Sequence, residues 1–179
     1  QGFYKKVKNA EGKSEILELN LKTLEYQTKT RGKFATLEMT TSVDNLKDRT
    51  KMLYNGMDKA GEFYKKSFNG VFQYVSNRIP EISDELYRID DGLKAGFGWE
   101  LGPFESWDAI GVKAAIKHME KADAKPAQWI YDMIEAGNET FYKVENGTRL
   151  YYDIPSKSYK VIPGTENLIS LENRIEFII

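Results

Sequence analysis

The chain has 179 residues, of which 41% are apolar and 30% charged, a balance that is ordinary for a globular domain. Its formal net charge is −1, so it lacks the excess of Lys and Arg that nucleic acid or an anionic membrane would favour. Cysteine is absent, which excludes disulfides, thiolate catalysis and cysteine-ligated metal sites and favours a reducing, cytoplasmic setting. No apolar run approaches the roughly 18–20 residues of a membrane span.

The N-terminal part of the chain has a strand pattern. Residues 3–27 predict short β-strands in a hairpin, because apolar side chains cluster at Ile16 and Leu19 and again, after a turn, at Leu24 and Tyr26. The following segment, 29–43, shows no sustained period, and we interpret it as a linker.

The middle of the chain has a helical pattern. Apolar residues there recur at spacings of three and four, which predicts five or six short helices. Asp44 and Ser83 are the expected N-caps of the first and third helices, and Gly96 is the expected end of the third. Pro103 and Glu105 fit the first turn of the next helix. The predicted ranges are 44–55, 58–79, 83–95, a helix from Pro103, 112–122 and 126–136.

A second strand pattern follows the helices. Residues 141–162 predict another hairpin, in which Asn146-Gly147 favours a two-residue type I′ turn. Both strand segments begin with the letters FYK, 138 residues apart, and both continue with a glycine-containing turn. This likeness predicts an internal repeat, with a further helical unit upstream of Gln1. Two unrelated hairpins are the alternative.

The expected organisation has three parts. Residues 1–43 would be the tail of a preceding repeat with its linker, 44–140 a helical domain, and 141–179 a hairpin and a linker to a following domain. Within the last part, 163–174 has the composition of a linker, and the final IEFII resembles a strand. We therefore expect the chain to be a piece of a longer polypeptide, the parent protein.

The segment GFGWELGPFESWDAIG, residues 96–111, contains four glycines, a proline and two tryptophans. It cannot form one helix, and its four large aromatic side chains predict either a packed corner between helices or the wall of a pocket. Each of these side chains is expected to be buried: Phe97, Trp99, Phe104 and Trp107.

Candidate chemistry is sparse in this sequence. His118 is expected to point to solvent, and Asp90-Asp91 to lie on a solvated face, so neither indicates a catalytic or metal site. Gly96-Phe97-Gly98 resembles part of a dinucleotide fingerprint, but a helix rather than a strand precedes it and the third glycine is missing. The residues alone therefore predict no catalytic, cofactor or metal ligand.

Residues 89–112, IDDGLKAGFGWELGPFESWDAIGV, closely resemble a motif of the C-terminal helical domain of 3-hydroxyacyl-CoA dehydrogenases. The letters GFYKK at 2–6 resemble the usual end of such a domain. The resemblance covers roughly residues 58–162. It implies a mainly α fold, a bundle of the 6-phosphogluconate/3-hydroxyacyl-CoA dehydrogenase C-terminal-domain type, flanked by short β-hairpins.

Together with their flanking segments, these motifs resemble multifunctional fatty-acid oxidation proteins of the bacterial type. Such proteins join an NAD-binding dehydrogenase domain, two helical repeats and an enoyl-CoA hydratase domain. The resemblance implies that this chain is the second repeat. Its partners would be the upstream NAD-binding domain, the first repeat, the downstream hydratase domain and, in a possible homodimer, a second copy.

The implied activity of the parent is NAD-dependent oxidation of 3-hydroxyacyl-CoA, by a His–Glu pair outside this chain. The active-site asparagine of the family's first repeat is not carried over, because Asn69 lacks the arginine that follows it there and Asn77-Arg78 comes too late. The positions that match the motif would form a structural corner: Gly96, Gly98, Trp99, Gly102, Pro103, Phe104, Glu105, Trp107, Asp108 and Gly111.

Three hypotheses remain open from the sequence. The first is a helical repeat that supports the dehydrogenase, its acyl-CoA cleft or a dimer, and that has no activity alone and binds no NAD. The second is a small self-sufficient enzyme. The third is an unrelated helical interaction module, whose aromatic stripe on residues 58–79 would bind a partner helix.

Overall fold

The structure, a computed structural model, describes residues 2–29 and 32–165, which fall into two compact units that divide between residues 34 and 35. The first unit contains a three-stranded antiparallel sheet in the order β1-β2-β3. Its strands are β1 (Tyr4–Lys8), β2 (Ser14–Leu19) and β3 (Tyr26–Thr28). The strand prediction for this segment is confirmed. The C-terminal IEFII and positions 166–174 of the expected second linker lie outside the described residues.

The second unit combines helices with another three-stranded sheet. Seven helices form within the described residues, one more than the upper estimate from the sequence. They are α1 (Ala35–Thr40), α2 (Leu46–Asn55), α3 (Lys59–Asn77), α4 (Leu86–Phe97), α5 (Pro103–Ile110), α6 (Val112–Lys121) and α7 (Gln128–Glu135). The sheet follows in the order β4-β5-β6, with β4 (Tyr142–Glu145), β5 (Thr148–Asp153) and β6 (Ser158–Val161). The mainly helical fold is confirmed, and its assignment to a particular domain type stays a prediction.

The first helix lies where a linker is predicted, so the linker prediction is wrong for residues 35–40. Six residues are too few to establish a period, and tertiary hydrogen bonds hold the segment in place. The carboxylate of Asp58 accepts the N–H of Thr36 at 3.0 Å and the N–H of Gly61, at the start of α3, also at 3.0 Å. These hydrogen bonds lower the pKa of Asp58 to about 2.

The N-cap of α2 is Asn45, and the prediction of Asp44 is wrong by one residue. The side-chain oxygen of Asn45 accepts the N–H of Lys47 at 2.9 Å and that of Asp48 at 3.1 Å. Asn and Asp cap equally well, so composition does not distinguish the two neighbours.

The predicted limits of α4 are also wrong. The helix begins at Leu86, since the hydroxyl of Ser83 accepts the N–H of Glu85 in a turn before the helix instead of capping a helix at 83. It ends at Gly98, whose φ of 67° is left-handed, whereas Gly96 lies inside the helix. The left-handed residue that ends a helix can be either glycine of a G-x-G pair, and the sequence does not choose.

The core of the second unit is a cluster of aromatic side chains from α3, α5 and the start of the sheet. Phe72 stacks on Trp107 with a ring separation of 4.6 Å and an interplanar angle of 5°. Phe141 lies 5.2 Å from Trp107 and 5.0 Å from Phe104. All four side chains are completely buried, so this cluster joins the helices to the sheet.

The turn between β4 and β5 has the predicted geometry. Asn146 and Gly147 have φ values of 51° and 77°, and positive φ at both central positions is what a type I′ turn requires. Beyond it, β5 is the most buried strand of the sheet, with Leu150, Tyr151 and Tyr152 all buried.

The two sheets share details that the sequence comparison does not reveal. The N–H of Leu19 donates to the carbonyl of Phe3 at 2.8 Å, and the N–H of Tyr152 donates to Phe141 at the same distance. These bonds make Phe3 the counterpart of Phe141, and Leu19 the counterpart of Tyr152.

The third strands correspond as well. The hydroxyl of Tyr26 donates to the carbonyl of Gly2 at 2.7 Å, and that of Tyr159 donates to the carbonyl of Thr140 at 2.6 Å. In both sheets a lysine of the first strand lies over this tyrosine ring, and the turn before the third strand has one residue with positive φ, Leu24 or Lys157. The correspondence supports the predicted internal repeat.

Candidate functional site: the corner between α4 and α5

The corner connects the end of α4 to the start of α5. Pro103 is the first residue of α5, as predicted, and Gly102 precedes it in an extended conformation. A Cβ atom on Gly102 would lie 2.3 Å from the side-chain carboxyl carbon of Asp90, so only glycine allows this approach. The glycine therefore brings the start of α5 against a carboxylate on α4.

Asp90 caps α5 from outside that helix. Its Oδ1 accepts the N–H of Phe104 at 2.9 Å, and its Oδ2 accepts the N–H of Glu105 at 3.0 Å. Gly102 has no side chain that could bond these N–H groups, and Asp90 takes the place of an N-cap side chain. The hydroxyl of Tyr142 donates to Asp90 Oδ2 at 2.9 Å, so the same carboxylate also holds β4.

The carboxyl of Asp90 is completely inaccessible to solvent, and the expectation that Asp90 lies on a solvated face is wrong. Burial raises its pKa to about 7, while the hydrogen bonds from Phe104, Tyr142 and Glu105 act in the opposite direction. Asp91 is exposed, as expected.

Glu105 is the second buried acid of the corner. Its Oε2 accepts the N–H of Gly102 at 2.7 Å, and its Oε1 accepts from Lys94 at 3.0 Å and Arg149 at 2.6 Å. Burial acts to raise the pKa of Glu105, but the hydrogen bonds from Gly102, Arg149 and Lys94 outweigh it and lower the pKa. Two cations, Lys94 of α4 and Arg149 of β5, thus pair with this buried carboxylate.

Asp108, at the far end of α5, holds the beginning of β4. Its two oxygens accept the N–H groups of Phe141 at 2.8 Å and Tyr142 at 2.9 Å. Burial raises the pKa of Asp108 to about 7. Gly111 follows with a φ of 103° and separates α5 from α6.

The four aromatic residues of the segment divide into two pairs. Phe104 and Trp107 are completely buried, as predicted. Phe97 is 76% exposed and Trp99 is 40% exposed, so the prediction that both are buried is wrong. α4 continues through Phe97 to Gly98, which carries these two side chains to the surface of the second unit.

Phe97 and Trp99 line a groove between α3 and α4 that encloses about 1090 Å³. Its walls are mostly apolar, and Phe63 and Tyr74 of α3 are also more than 60% exposed. An exposed apolar surface of this kind is typical of a contact face rather than of a solvated one. The segment 96–111 is therefore partly a packed corner and partly a groove wall.

The residues considered for catalysis do not form a site. His118 is half-buried against Tyr54, with ring centres 5.8 Å apart, so the expectation that it points freely to solvent is wrong. Burial lowers its pKa. Asn69 is buried and accepts the hydroxyl of Tyr54 at 2.7 Å, whereas Asn77 is exposed at the end of α3.

The G-x-G segment does not have the position of a dinucleotide fingerprint. Gly96 and Gly98 lie at the C-terminal end of α4, whereas a pyrophosphate needs the N–H groups of a helix N-terminus. Within residues 2–29 and 32–165, no group of three or more His, Asp or Glu side chains could hold a metal ion. Among the same residues, no helix is long and apolar enough to span a membrane.

Sequence reasoning missed Asp90, Lys94, Tyr142 and Arg149 as members of the corner. One signal could have identified the first: Asp90 lies four residues after Leu86, which puts it on the apolar side of α4. A carboxylate on an apolar face must be paired or hydrogen-bonded, and the nearby Gly-Pro supplies unpaired N–H groups. No comparable local signal marks Tyr142 or Arg149.

Over 172 residues, 96% of its length, the chain is 40% identical to a protein of Bacillus subtilis (strain 168) named "Probable 3-hydroxyacyl-CoA dehydrogenase". The chain is a relative of the 3-hydroxyacyl-CoA dehydrogenases. It covers 21% of that Bacillus protein, about a fifth of its length. The resemblance found in residues 89–112 is thereby confirmed.

Two shorter similarities are also to enzymes of fatty acid oxidation. The chain is 25% identical over 67 residues to a protein of Rickettsia felis and 31% identical over 45 residues to one of Rickettsia prowazekii. Both are named "Putative fatty acid oxidation complex trifunctional enzyme", and the chain covers 9% and 6% of them. No family model matches the chain, and no solved structure matches it significantly.

The hydrogen bonds of Asp90 give a prediction about the stability of this chain. At pH 8, Asp90→Asn should lower the free energy of unfolding by about 1–3 kcal/mol, because the amide NH₂ would face a backbone N–H that now has an acceptor. Asp91→Asn, next to it on the exposed side of α4, should change the value by less than about 0.5 kcal/mol. Chemical denaturation measures both. Equal effects of the two substitutions would contradict the capping role.

Proposed function

We propose that the chain is the second helical repeat of a multidomain 3-hydroxyacyl-CoA dehydrogenase, and that its role there is structural. The observation that carries the proposal is the near-complete alignment of this chain with about a fifth of a much longer dehydrogenase relative. The matched motif residues lie in the corner between α4 and α5, where they join helices and sheet. In this proposal the repeat supports a reaction that other domains of the parent protein catalyse.

The use of the carboxylates supports a structural role. Asp90, Glu105 and Asp108 each accept backbone N–H groups, and Glu105 is also paired with two cations. A general acid or base needs a proton-transfer path to substrate, and these oxygens are instead directed at the protein's own backbone. The parent's oxidation of 3-hydroxyacyl-CoA with NAD would therefore depend on residues of an upstream nucleotide-binding domain.

The groove between α3 and α4 would be a contact face of the repeat. We infer that the first helical repeat of the same protein covers it, because the side-chain ridges of one helix can pack into a groove between others. A second copy in a homodimer is the other way to cover it. A downstream hydratase domain is part of the proposal, in keeping with the trifunctional names of the Rickettsia relatives. A cytoplasmic location completes it.

The hypothesis of an unrelated interaction module is not favoured. Much of the aromatic stripe of α3 on which it rests packs inward, where Phe72 and Val75 are buried in the core. A self-sufficient enzyme would need a base and a cofactor site of its own, and the half-buried His118 contacts a tyrosine ring instead.

An activity assay tests the proposed structural role. The isolated 179-residue chain should not oxidise 3-hydroxyacyl-CoA and should not bind NAD, as measured by NADH absorbance and by calorimetry. The full-length protein encoded by the same reading frame, assayed in parallel, should do both. Turnover by the isolated chain would contradict a structural role, and an inactive full-length protein would contradict the dehydrogenase assignment.

The groove gives a second prediction. Phe97→Ser and Tyr74→Ser should lower the free energy of unfolding of the full-length protein by about 1–3 kcal/mol each, the effect of losing a buried aromatic contact. In the isolated chain both residues are exposed, and the same substitutions should have little effect. Met57→Ser, at an exposed apolar residue outside the groove, is the control in both proteins. Equal effects in the two contexts would show that the groove is not a contact face.

A further inference from the structure

The sheet of the first unit has the same build as the sheet of the second, but its counterpart residues have a different environment. Phe141 is completely buried, where it packs on Phe104, Trp107 and Trp129, whereas its counterpart Phe3 is 67% exposed. Tyr4, the counterpart of Tyr142, is 61% exposed. The first sheet thus has the residues through which the second sheet packs on its helices, but in the first sheet these residues are exposed.

The second sheet docks through carboxylates as well as through aromatic packing. Asp108 accepts the backbone N–H groups of Phe141 and Tyr142, and Asp90 accepts the hydroxyl of Tyr142. Two of these donors are backbone groups at the start of an edge strand, and the third is a tyrosine hydroxyl. The first sheet carries the same donors, at Phe3 and Tyr4.

We propose that the sheet of residues 2–28 docks on a second helical bundle that presents two aspartates in the places of Asp90 and Asp108. One aspartate accepts the N–H groups of Phe3 and Tyr4, the other accepts the Tyr4 hydroxyl, and an aromatic pocket receives the Phe3 ring. The inference rests on the proposed function only in taking the chain as one repeat of a larger protein.

The aspartates of the second unit are not available for this role. Asp90 and Asp108 already hold β4, so neither the same molecule nor an intact second copy offers a free pair. The partner must be another bundle with equivalent chemistry.

The partner also differs from the second unit in a defined way. Ile16 is the counterpart of Arg149, which pairs with Glu105. An apolar side chain cannot pair with a buried glutamate, so the surface of the partner that meets Ile16 must be apolar or must neutralise its own acid. The partner and the second unit would therefore share the two aspartates but not the ion pairs of Glu105.

Hydroxyl-radical footprinting with mass spectrometry tests the docking without any substitution. Oxidation of Phe3 and Tyr4 should be about tenfold slower in the full-length protein than in the isolated 179-residue chain, because docking buries them. Leu24 is the internal control: it is 71% exposed and its counterpart Lys157 is exposed too, so its oxidation rate should not change. Equal rates for Phe3 in both proteins would overturn the proposal, as would protection that grows with the concentration of the isolated chain.

The carboxylates are tested by changing the partner. In the full-length protein, the two aspartates upstream that align with Asp90 and Asp108 should be replaced by asparagine, and the protection of Phe3 should then fall toward the rate of the isolated chain. Asp91, exposed in the second unit, has an aligned position that serves as the control. If the full-length protein oxidises 3-hydroxyacyl-CoA but keeps Phe3 unprotected, or carries no such aspartates, this inference fails and the proposed function stands.

Discussion

A single buried carboxylate joins three elements of the second unit. Asp90 is on α4, its oxygens accept two N–H groups at the start of α5, and it also accepts the hydroxyl of Tyr142 on β4. Hydrogen bonds to a charged group are worth roughly 1.5–3 kcal/mol each, and leaving such a group buried without partners costs more. The positions of α4, α5 and the sheet are therefore coupled.

Other features of the corner follow from that carboxylate. Gly102 must lack a side chain so that Asp90 can approach, and Pro103 can begin α5 because its missing N–H needs no acceptor there. Glu105 brings Lys94 and Arg149 beside the two acids, which limits the cost of burying them. Asp108 then repeats the device at the other end of α5, where it holds the strand that carries Phe141 into the core.

The features predicted correctly from the sequence are those with local causes. The period of α3, the start of α5 at Pro103 and the turn at Asn146-Gly147 each depend on neighbouring residues, and each is found. The errors have tertiary causes. α1 is held by Asp58 from the start of another helix, Asp90 is bonded by a tyrosine 52 residues away, and Phe97 and Trp99 line an open groove between α3 and α4. Hydrophobicity alone cannot say whether an aromatic side chain is covered by its own domain or by another.

The central claim is that carboxylates of α4 and α5 lock the corner to the sheet. Amide hydrogen exchange measured by NMR on the intact chain tests it most directly. The N–H groups of Phe104, Glu105, Phe141 and Tyr142 have carboxylate acceptors, so they should exchange only through global unfolding of the second unit. Exchange of these four groups as fast as that of the exposed turn at Lys157 would contradict the account.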